Sequence, residues 1–383
     1  MLWRYLMSCA CGVVVFLAMD GQKLMGEEAT FWVYYGTYTR DTSRGIYVGK
    51  FDANTGRLTE PELAAETRNP SFLAVHPTRP LLYAVGELAE FEGQRTGAVL
   101  AYQIDSQSGK LVAINRQPSG GTGPCHLVVD PSGRFVLVAN YGGGSVASLP
   151  IRPDGGLEPP ACVLRQEGRS VHPTRQTAPH AHQINFSPKG DLVLVPDLGL
   201  DKVLLFRWSP ADGQLTEYDP PFVTVPAGSG PRHFAYHPTG RALFVLNELT
   251  ATVCVFECAS GVPTRLVETV SSLPQDFSGS NTAAEIVVHP TGRFLFTSNR
   301  GHDSVAVFRI ADDALKISLM ENVSVQGKTP RFIGIDPTAT FLFAANQDSH
   351  NVVVFRIDVE SGHLTPTGQV INLGSPVCMI FRK

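Results

Sequence analysis

Charge is scarce in this sequence: Asp, Glu, Lys and Arg make up 17% of 383 residues, and the formal net charge is -4. No basic tract appears anywhere, which excludes a protein held on nucleic acid by non-specific attraction to phosphates. Cysteine is sparse as well. After Cys9 and Cys11 only Cys125, Cys162, Cys254, Cys258 and Cys378 remain, an odd number without the spacing of a disulfide framework. Cys254 and Cys258 fall on one expected strand, about 13 Å apart at ordinary rise, too far for a bridge or a shared metal. The signatures His-Glu-x-x-His, Gly-x-Ser-x-Gly, the EF-hand loop and the P-loop are all missing.

Long apolar runs are absent but for one. Arg4 precedes the run Cys9–Ala18, and the polar Asp20-Gly-Gln-Lys23 follows it, an order that reads as a secretory leader over residues 1–26. The run is shorter than the roughly 20 residues a bilayer-spanning helix needs, so cleavage is expected rather than anchoring. The expectation is export to the periplasm or cell surface if the leader is genuine and a cytoplasmic protein otherwise, as a misassigned start codon would give. No stable membrane association is expected beyond that segment.

What the sequence has in abundance is a repeat. Strand-ending proline pairs recur at His76-Pro77, Asp130-Pro131, Ser187-Pro188, His237-Pro238, His289-Pro290 and Asp336-Pro337, at intervals of about 50 residues. Each copy carries runs of five to seven Val, Ile, Leu and Phe, the material of buried strands rather than of helical repeats. In the copy around Pro238, strand A is Phe234-Ala-Tyr, strand B ends at Asn247, and strand C is Val253-Cys-Val-Phe. A Ser260-Gly261 turn then leads to strand D, glycine supplying the positive φ of a tight hairpin. Phe31–Tyr38 through Asp52 matches strands B and C with no strand A before them, while Ser375–Phe381 matches strand A with nothing after it. The two ends are predicted to pair. The reading is therefore an all-β, seven-bladed β-propeller over residues 30–383, its last blade closed by N- and C-terminal strands so that no open edge remains.

Comparing the copies separates scaffold from site. Nine residues past the proline stand Gly86, Asn140, Asp197, Asn247, Asn299 and Asn346, short turn-formers that cap strand B, and the histidines before proline likewise recur as scaffold. Ten residues past it the types diverge: Glu87, Tyr141, Leu198, Glu248, Arg300 and Gln347. Six and five residues before it they diverge again, with Cys125/His126, His182/Gln183, Arg232/His233, Ala284/Glu285 and Arg331/Phe332. Both sets can reach the central channel, although the sequence leaves open whether they share a rim. The third copy adds two residues within Pro179-His180-Ala181-His182. A His-x-His pair can hold zinc, but no further ligands of fitting spacing follow, and no metal is expected. The candidate ring is His182, Arg232, Glu248, Arg300 and Arg331, with His126, His180, His233, Glu285 and Gln347 beside it. Guanidinium forks match phosphate or carboxylate oxygens two at a time, so the arginines point to an anionic ligand. The alternative is a structural network in which they pair with Glu248 or Glu285.

These residues resemble the lactonase family of seven-bladed propellers, typified by the propeller-type 6-phosphogluconolactonases and related to fungal carboxymuconate cyclases. The matching text is Tyr35-Gly-Thr-Tyr38, Asn69-Pro-Ser-Phe72, Pro179-His-Ala-His182, Gly230-Pro-Arg-His233, Asn247-Glu-Leu249, Ala284-Glu-Ile286, Ser298-Asn-Arg-Gly301 and Asn346-Gln-Asp-Ser349, from about residue 31 to the end. The resemblance implies a metal-independent, cofactor-free active site on the channel, with His182, Arg232, Glu248 and Arg300 matching the catalytic set proposed for the cyclase branch. It implies a small-molecule lactone as substrate, most simply 6-phosphogluconolactone, in a monomer. Glu248 or His182 would serve as general base, Arg232 as oxyanion stabiliser, and Arg300 with Arg331 as the grip on the far end. A muconate-type lactonising enzyme and a non-enzymatic ligand-binding propeller are the competing readings.

Overall fold

Each strand B among the described residues is a mostly apolar run, ending in a polar residue in most blades, with no regular alternation of polar and apolar positions, which requires burial on both faces. In blade 4 successive residues of strand B (Ala242–Asn247) point to opposite sides. Ala242, Phe244 and Leu246 join the core shared with blade 5, and Leu243 and Val245 join the core shared with blade 3. The same division recurs around the molecule, so the hydrophobic core is seven separate clusters, each between neighbouring sheets.

The structure is a computed structural model and describes residues 30–40 and 42–383; the leader read in the sequence lies outside the described residues. Seven antiparallel sheets follow one another, each in the order A-B-C-D from the inside out. The innermost strands are Leu73–Val75, Pro124–Val129, Asn185–Phe186, Pro231–Tyr236, Thr282–Val288, Pro330–Ile335 and Pro376–Arg382, for blades 1 to 7. Blade 7 closes as predicted: Pro376–Arg382 pairs antiparallel with Thr30–Thr37, aligning Val33 with Phe381 and Tyr35 with Met379. Its outer strand departs from the expected pattern. Strand D is split into Arg57–Leu58 and Glu62–Glu66, because Pro61 between them has no N–H to give to a ladder. Among the described residues no helix is long and apolar enough to cross a membrane.

The repeated polar residues tie blades together. His76, His237 and His289 each place Nε2 2.9–3.1 Å from the carbonyl oxygen of a turn in the next blade, at Gly133, Gly292 and Ala339. Asn140, Asn299 and Asn346 donate from Nδ2 to the backbone oxygens of Ser119, Ser272 and Val325. These positions recur because the ring needs the same bond at each step.

Candidate active site

Antiparallel pairing settles which rim the variable positions share. Pro231 pairs with Asn247, so the start of strand A and the end of strand B lie side by side, and Arg232 and His233 stand next to Glu248. The same register joins Pro330 to Asn346 in blade 6 and Thr282 to Arg300 in blade 5.

A bulge at the start of strand A then aims one residue off the ladder in several blades. The register shifts at Arg232 between Pro231 and His233, at Arg331 between Pro330 and Phe332, across Ala284 and Glu285 in blade 5, at Cys125 in blade 2 and at Val377 in blade 7. A bulged residue is unpaired and its side chain is re-aimed, which is how bulges serve active sites. Proline precedes the bulge in four of these five blades, where its missing N–H costs nothing at the first position of a strand.

Glu248 is the centre of the charge arrangement. Its Oε2 accepts from Arg232 Nε and from Arg300 Nη2, both at 3.0 Å, and its Oε1 accepts from Arg175 Nη2 at 2.5 Å. Arg232 also donates from Nη1 to the Ala284 carbonyl, and Arg300 donates to Ala283 O at 3.0 Å. Burial alone would raise the Glu248 pKa, but Arg300, Arg232 and Arg175 outweigh it and hold the carboxyl at about 2. The structural-network alternative is thus realised for Arg232 and Arg300, yet with one carboxylate among three guanidiniums the cluster keeps an excess of positive charge. Arg300 Nε is buried without a partner.

Arg331 stands apart. It makes no ion pair or hydrogen bond among the described residues, and its guanidinium lies 5.3 Å above the Tyr38 ring. It borders three spaces. The first is an outer hollow of ≈520 Å³ with Tyr38, Arg40, Asn69, Glu87, Arg300 and Gln347 on its walls. The second is a chamber of ≈330 Å³ that shares Tyr38, Glu87 and Arg300 with it and is bounded further by Tyr141, Arg175, His182 and Glu248. The third is a small inner cavity of ≈10 Å³ enclosed by Ser71, Cys125, His182, Arg232, His233 and Glu285. A larger groove of ≈800 Å³ lies elsewhere, between blades 7 and 1, and gathers none of these groups.

Three imidazoles are packed at the inner end of the chamber. The His233 ring centroid is 5.2 Å from that of His182 and 5.5 Å from that of His126. All three have pKa values held well below the usual histidine range, first by burial, then by the Arg232 guanidinium for His182 and His233, and by the adjoining His233 ring, which disfavours a second proton, for His126. They are neutral at physiological pH. Glu285 Oε1 lies 2.7 Å from His233 Nδ1, and burial pushes its carboxyl up to about 7 against the pull of Arg232.

The structure therefore converges His182, Arg232, Glu248, Arg300 and Arg331, with His233 and Glu285 directly behind them. His126 lies deeper, its ring 4.1 Å from that of Phe72, and borders none of the three spaces. Gln347 lines only the outer hollow and donates to Asp348 Oδ1 at 2.7 Å. His180 is directed away from the chamber: it stacks on Tyr141, with Nδ1 2.9 Å from the Tyr141 carbonyl oxygen, so it braces that ring. Tyr38, Glu87, Tyr141 and Arg175 border the chamber although the candidate ring omitted them. Glu87 accepts from Tyr38 OH at 2.9 Å and from Ser71 Oγ, and Arg175 bonds both Tyr141 OH and Glu248. Glu87 and Tyr141 stand at a comparison position and are legible there; Tyr38 appears in the sequence only within the matching text Tyr35-Gly-Thr-Tyr38, and Arg175 lies in an irregular segment with no counterpart in other blades. Among the described residues no group of three or more His, Cys, Asp or Glu is arranged to hold a metal.

A closed propeller with a cationic, imidazole-floored chamber on its axis is the architecture of a small-molecule enzyme acting on an anionic or polyhydroxylated substrate. The chain matches the Lactonase family, described as a seven-bladed beta-propeller, across residues 32–381, and belongs to it. It is 38% identical over 349 residues to a 6-phosphogluconolactonase of Bacillus subtilis, covering 91% of this chain and 97% of that protein. A 6-phosphogluconolactonase of Formosa agariphila is 33% identical over 356 residues, covering 91% and 99%. Among solved structures, the periplasmic gluconolactonase of Pseudomonas aeruginosa superposes with a TM-score of 0.86 at 34% identity, covering 93% of this chain and 99% of that one.

Proposed function

We propose that this chain hydrolyses a sugar δ-lactone, with 6-phospho-D-glucono-1,5-lactone as the leading substrate and 6-phosphogluconate as product. The observation that carries the reading is an Arg331 without an ion pair or hydrogen bond among the described residues, set beside an arginine pair fixed by Glu248, on the walls of the chamber and the inner cavity. A δ-lactone needs a place for its carbonyl to become an oxyanion and a separate grip on its distal end. Arg232, 2% exposed and locked by Glu248 and the Ala284 carbonyl, is a preorganised donor for the oxyanion. Arg331 and Arg300 hold the distal phosphate or hydroxyls, with Arg40 on the rim of the outer hollow. The names carried by the Bacillus subtilis and Formosa agariphila relatives support the substrate assignment.

Glu248 serves as the organiser of the arginines. A carboxylate held at about 2 by three cations has little affinity for a proton, which makes it a poor base for water at neutral pH. Proton handling falls to the neutral imidazoles, of which His182 borders the chamber itself. No metal or organic cofactor enters the proposal, and turnover is expected to survive a chelator. Export, if the leader functions, would place the reaction outside the cytoplasm; N-terminal sequencing of the mature protein from fractionated cells decides that point.

The test is a substrate panel on the purified mature protein, following acid release over the uncatalysed rate. Consumption of 6-phosphogluconolactone with weaker turnover of the unphosphorylated lactone supports the reading. Preference for a muconolactone transfers the site to the cyclase type, and thermal stabilisation by lactones without turnover reassigns it to binding alone.

A further inference from the structure

We propose that the water that opens the lactone is held in the small inner cavity and deprotonated by His233, with Glu285 as the residue that orients the imidazole. The inference rests on the lactonase reading above and assigns one step of it. The cavity measures ≈10 Å³, about the space one water needs, and its walls are mostly polar: Ser71, Arg232, His233, Glu285 and Arg331, with Phe72 and Val377 the apolar part and Cys125 and His182 shared with the chamber. His233 is 2% exposed and its Nε2 is a buried atom with no hydrogen-bond partner. Buried polar atoms are almost always paired, so an orphaned imidazole nitrogen on the wall of a water-sized polar cavity marks a ligand position. The other ring nitrogen explains the tautomer. Nδ1 lies 2.7 Å from Glu285 Oε1, and donating to the ionised carboxylate leaves the lone pair on Nε2.

The chemistry balances with water as the only co-reactant. Water gives its proton to His233 Nε2 while its oxygen bonds to the lactone carbonyl carbon. The C=O electron pair moves onto oxygen beside Arg232, and collapse re-forms C=O and breaks the ring C–O bond. The proton then returns from His233 to the ring alkoxide, with His182, whose centroid is 5.2 Å away, as relay. Glu285 governs the readiness of the base. When its carboxyl is protonated it donates to Nδ1 instead, the ring proton moves to Nε2, and no lone pair faces the cavity. The dyad is surrounded by Arg232 and Arg331, by His126 and His182, by the Cys378 thiol, and at longer range by Glu248 and Arg300. Burial places the Glu285 transition at about 7, so kcat should fall on the acid side of neutrality with an apparent pKa that belongs to the pair.

Three measurements on the full chain with one lactone decide the matter. Wild-type kcat should decline below about pH 7, and a flat profile from pH 5 to 8 would overturn the dyad without recourse to any variant. His233→Gln should lower kcat by about 10²-fold with KM within a few-fold, the scale of a lost general base; kcat within threefold of wild type overturns the assignment. Glu285→Gln, whose amide oxygen can still accept from Nδ1, should remove the acid limb near pH 7 as well as lowering kcat. Persistence of that limb rules out Glu285 as its source. A wild-type chain inert towards every lactone would sink the parent reading and this step together, whereas an active wild type with an unaffected His233→Gln sinks this step alone.

Discussion

Arg175 and Glu248 meet at 2.5 Å across 73 residues of chain, joining the irregular segment before blade 3 to the end of strand B in blade 4. The contact lies at the mouth of the chamber, where the Arg175 side chain is 38% exposed and the Glu248 side chain only 5%. Solvent screens the outer half of this cluster and not the inner half, so the three arginines are not equivalent.

That asymmetry separates two substitutions. Glu248→Ala leaves Arg232 and Arg300 buried without a carboxylate, a loss on the order of 3–5 kcal/mol for breaking a buried pair, and should abolish turnover while lowering Tm by many degrees. Arg175→Ala removes the exposed partner and leaves two cations on Glu248; Tm should barely change and kcat/KM should fall about tenfold or less. Urea melts and lactone kinetics on both variants check the pair. Equal stability losses would mean that the outer arginine is as integral as the inner two.

Arg331→Ala should discriminate between substrates. A guanidinium whose one contact of note is the Tyr38 ring, with no ion pair or hydrogen bond among the described residues, is available to a phosphate, and a charge-assisted pair of this kind contributes about 1.5–3 kcal/mol, or roughly 10- to 100-fold. KM for the phosphorylated lactone should rise by that factor while the unphosphorylated one changes little. A Lys in its place keeps the charge without the fork and should recover only part of the loss. Parallel losses on both lactones would move Arg331 from the distal grip to the reacting carbonyl.

Much of this was legible in the sequence because repetition makes each blade a control for the next. The recurrence of His76, His237 and His289 assigns them to scaffold, and they do stitch successive blades; of the divergent residues, Glu248, Arg300 and Arg331 line the chamber and Arg232, bonded to Glu248, lines the inner cavity. Other features needed three dimensions. His180 and His182 are two residues apart and were grouped, but one stacks outside Tyr141 and the other borders the chamber. The bulges that aim Arg232 and Arg331 follow Pro231 and Pro330, a signal present in the text whose geometric meaning appears only in the register shift. Arg175 carries no such signal, since an irregular insertion has no copy to compare with.

Glu285 should cost stability at neutral pH and above. Its folded pKa, raised to about 7 by burial, exceeds the unfolded value, so the native state holds a proton that the unfolded chain has released over the interval from about 4.5 to 7. The carboxyl's favourable contribution is complete below the lower value and is lost as pH rises through the upper one. Glu285→Gln cannot ionise and should therefore be more stable than wild type above pH 7, with the difference vanishing near pH 4.5. Denaturant midpoints at pH 4.5, 6 and 8 test this directly. A wild type that gains stability relative to the variant as pH rises would reverse the sign.

Gly362 provides the scaffold test. The turn between strands C and D of blade 6 holds Gly362 at φ 83°, and a Cβ built there would lie 2.4 Å from the Phe294 ring that begins strand B of blade 5. Gly213 repeats the arrangement, at φ 75° against Phe135 of the preceding blade, so one turn serves twice, closing its own hairpin and capping its neighbour's core. Gly362→Ala meets both a left-handed backbone penalty of about 1 kcal/mol and overpacking of about 1–3 kcal/mol against a fully buried ring. Gly368, also at φ 83° but with open space around it, should show only the first. Ala at 362 is thus expected to cost clearly more in Tm than Ala at 368, and kcat should be untouched in both because neither turn adjoins the chamber. Equal costs at the two glycines would show that backbone conformation alone, and not the seating of each turn on the next sheet's aromatic ring, fixes glycine at these corners.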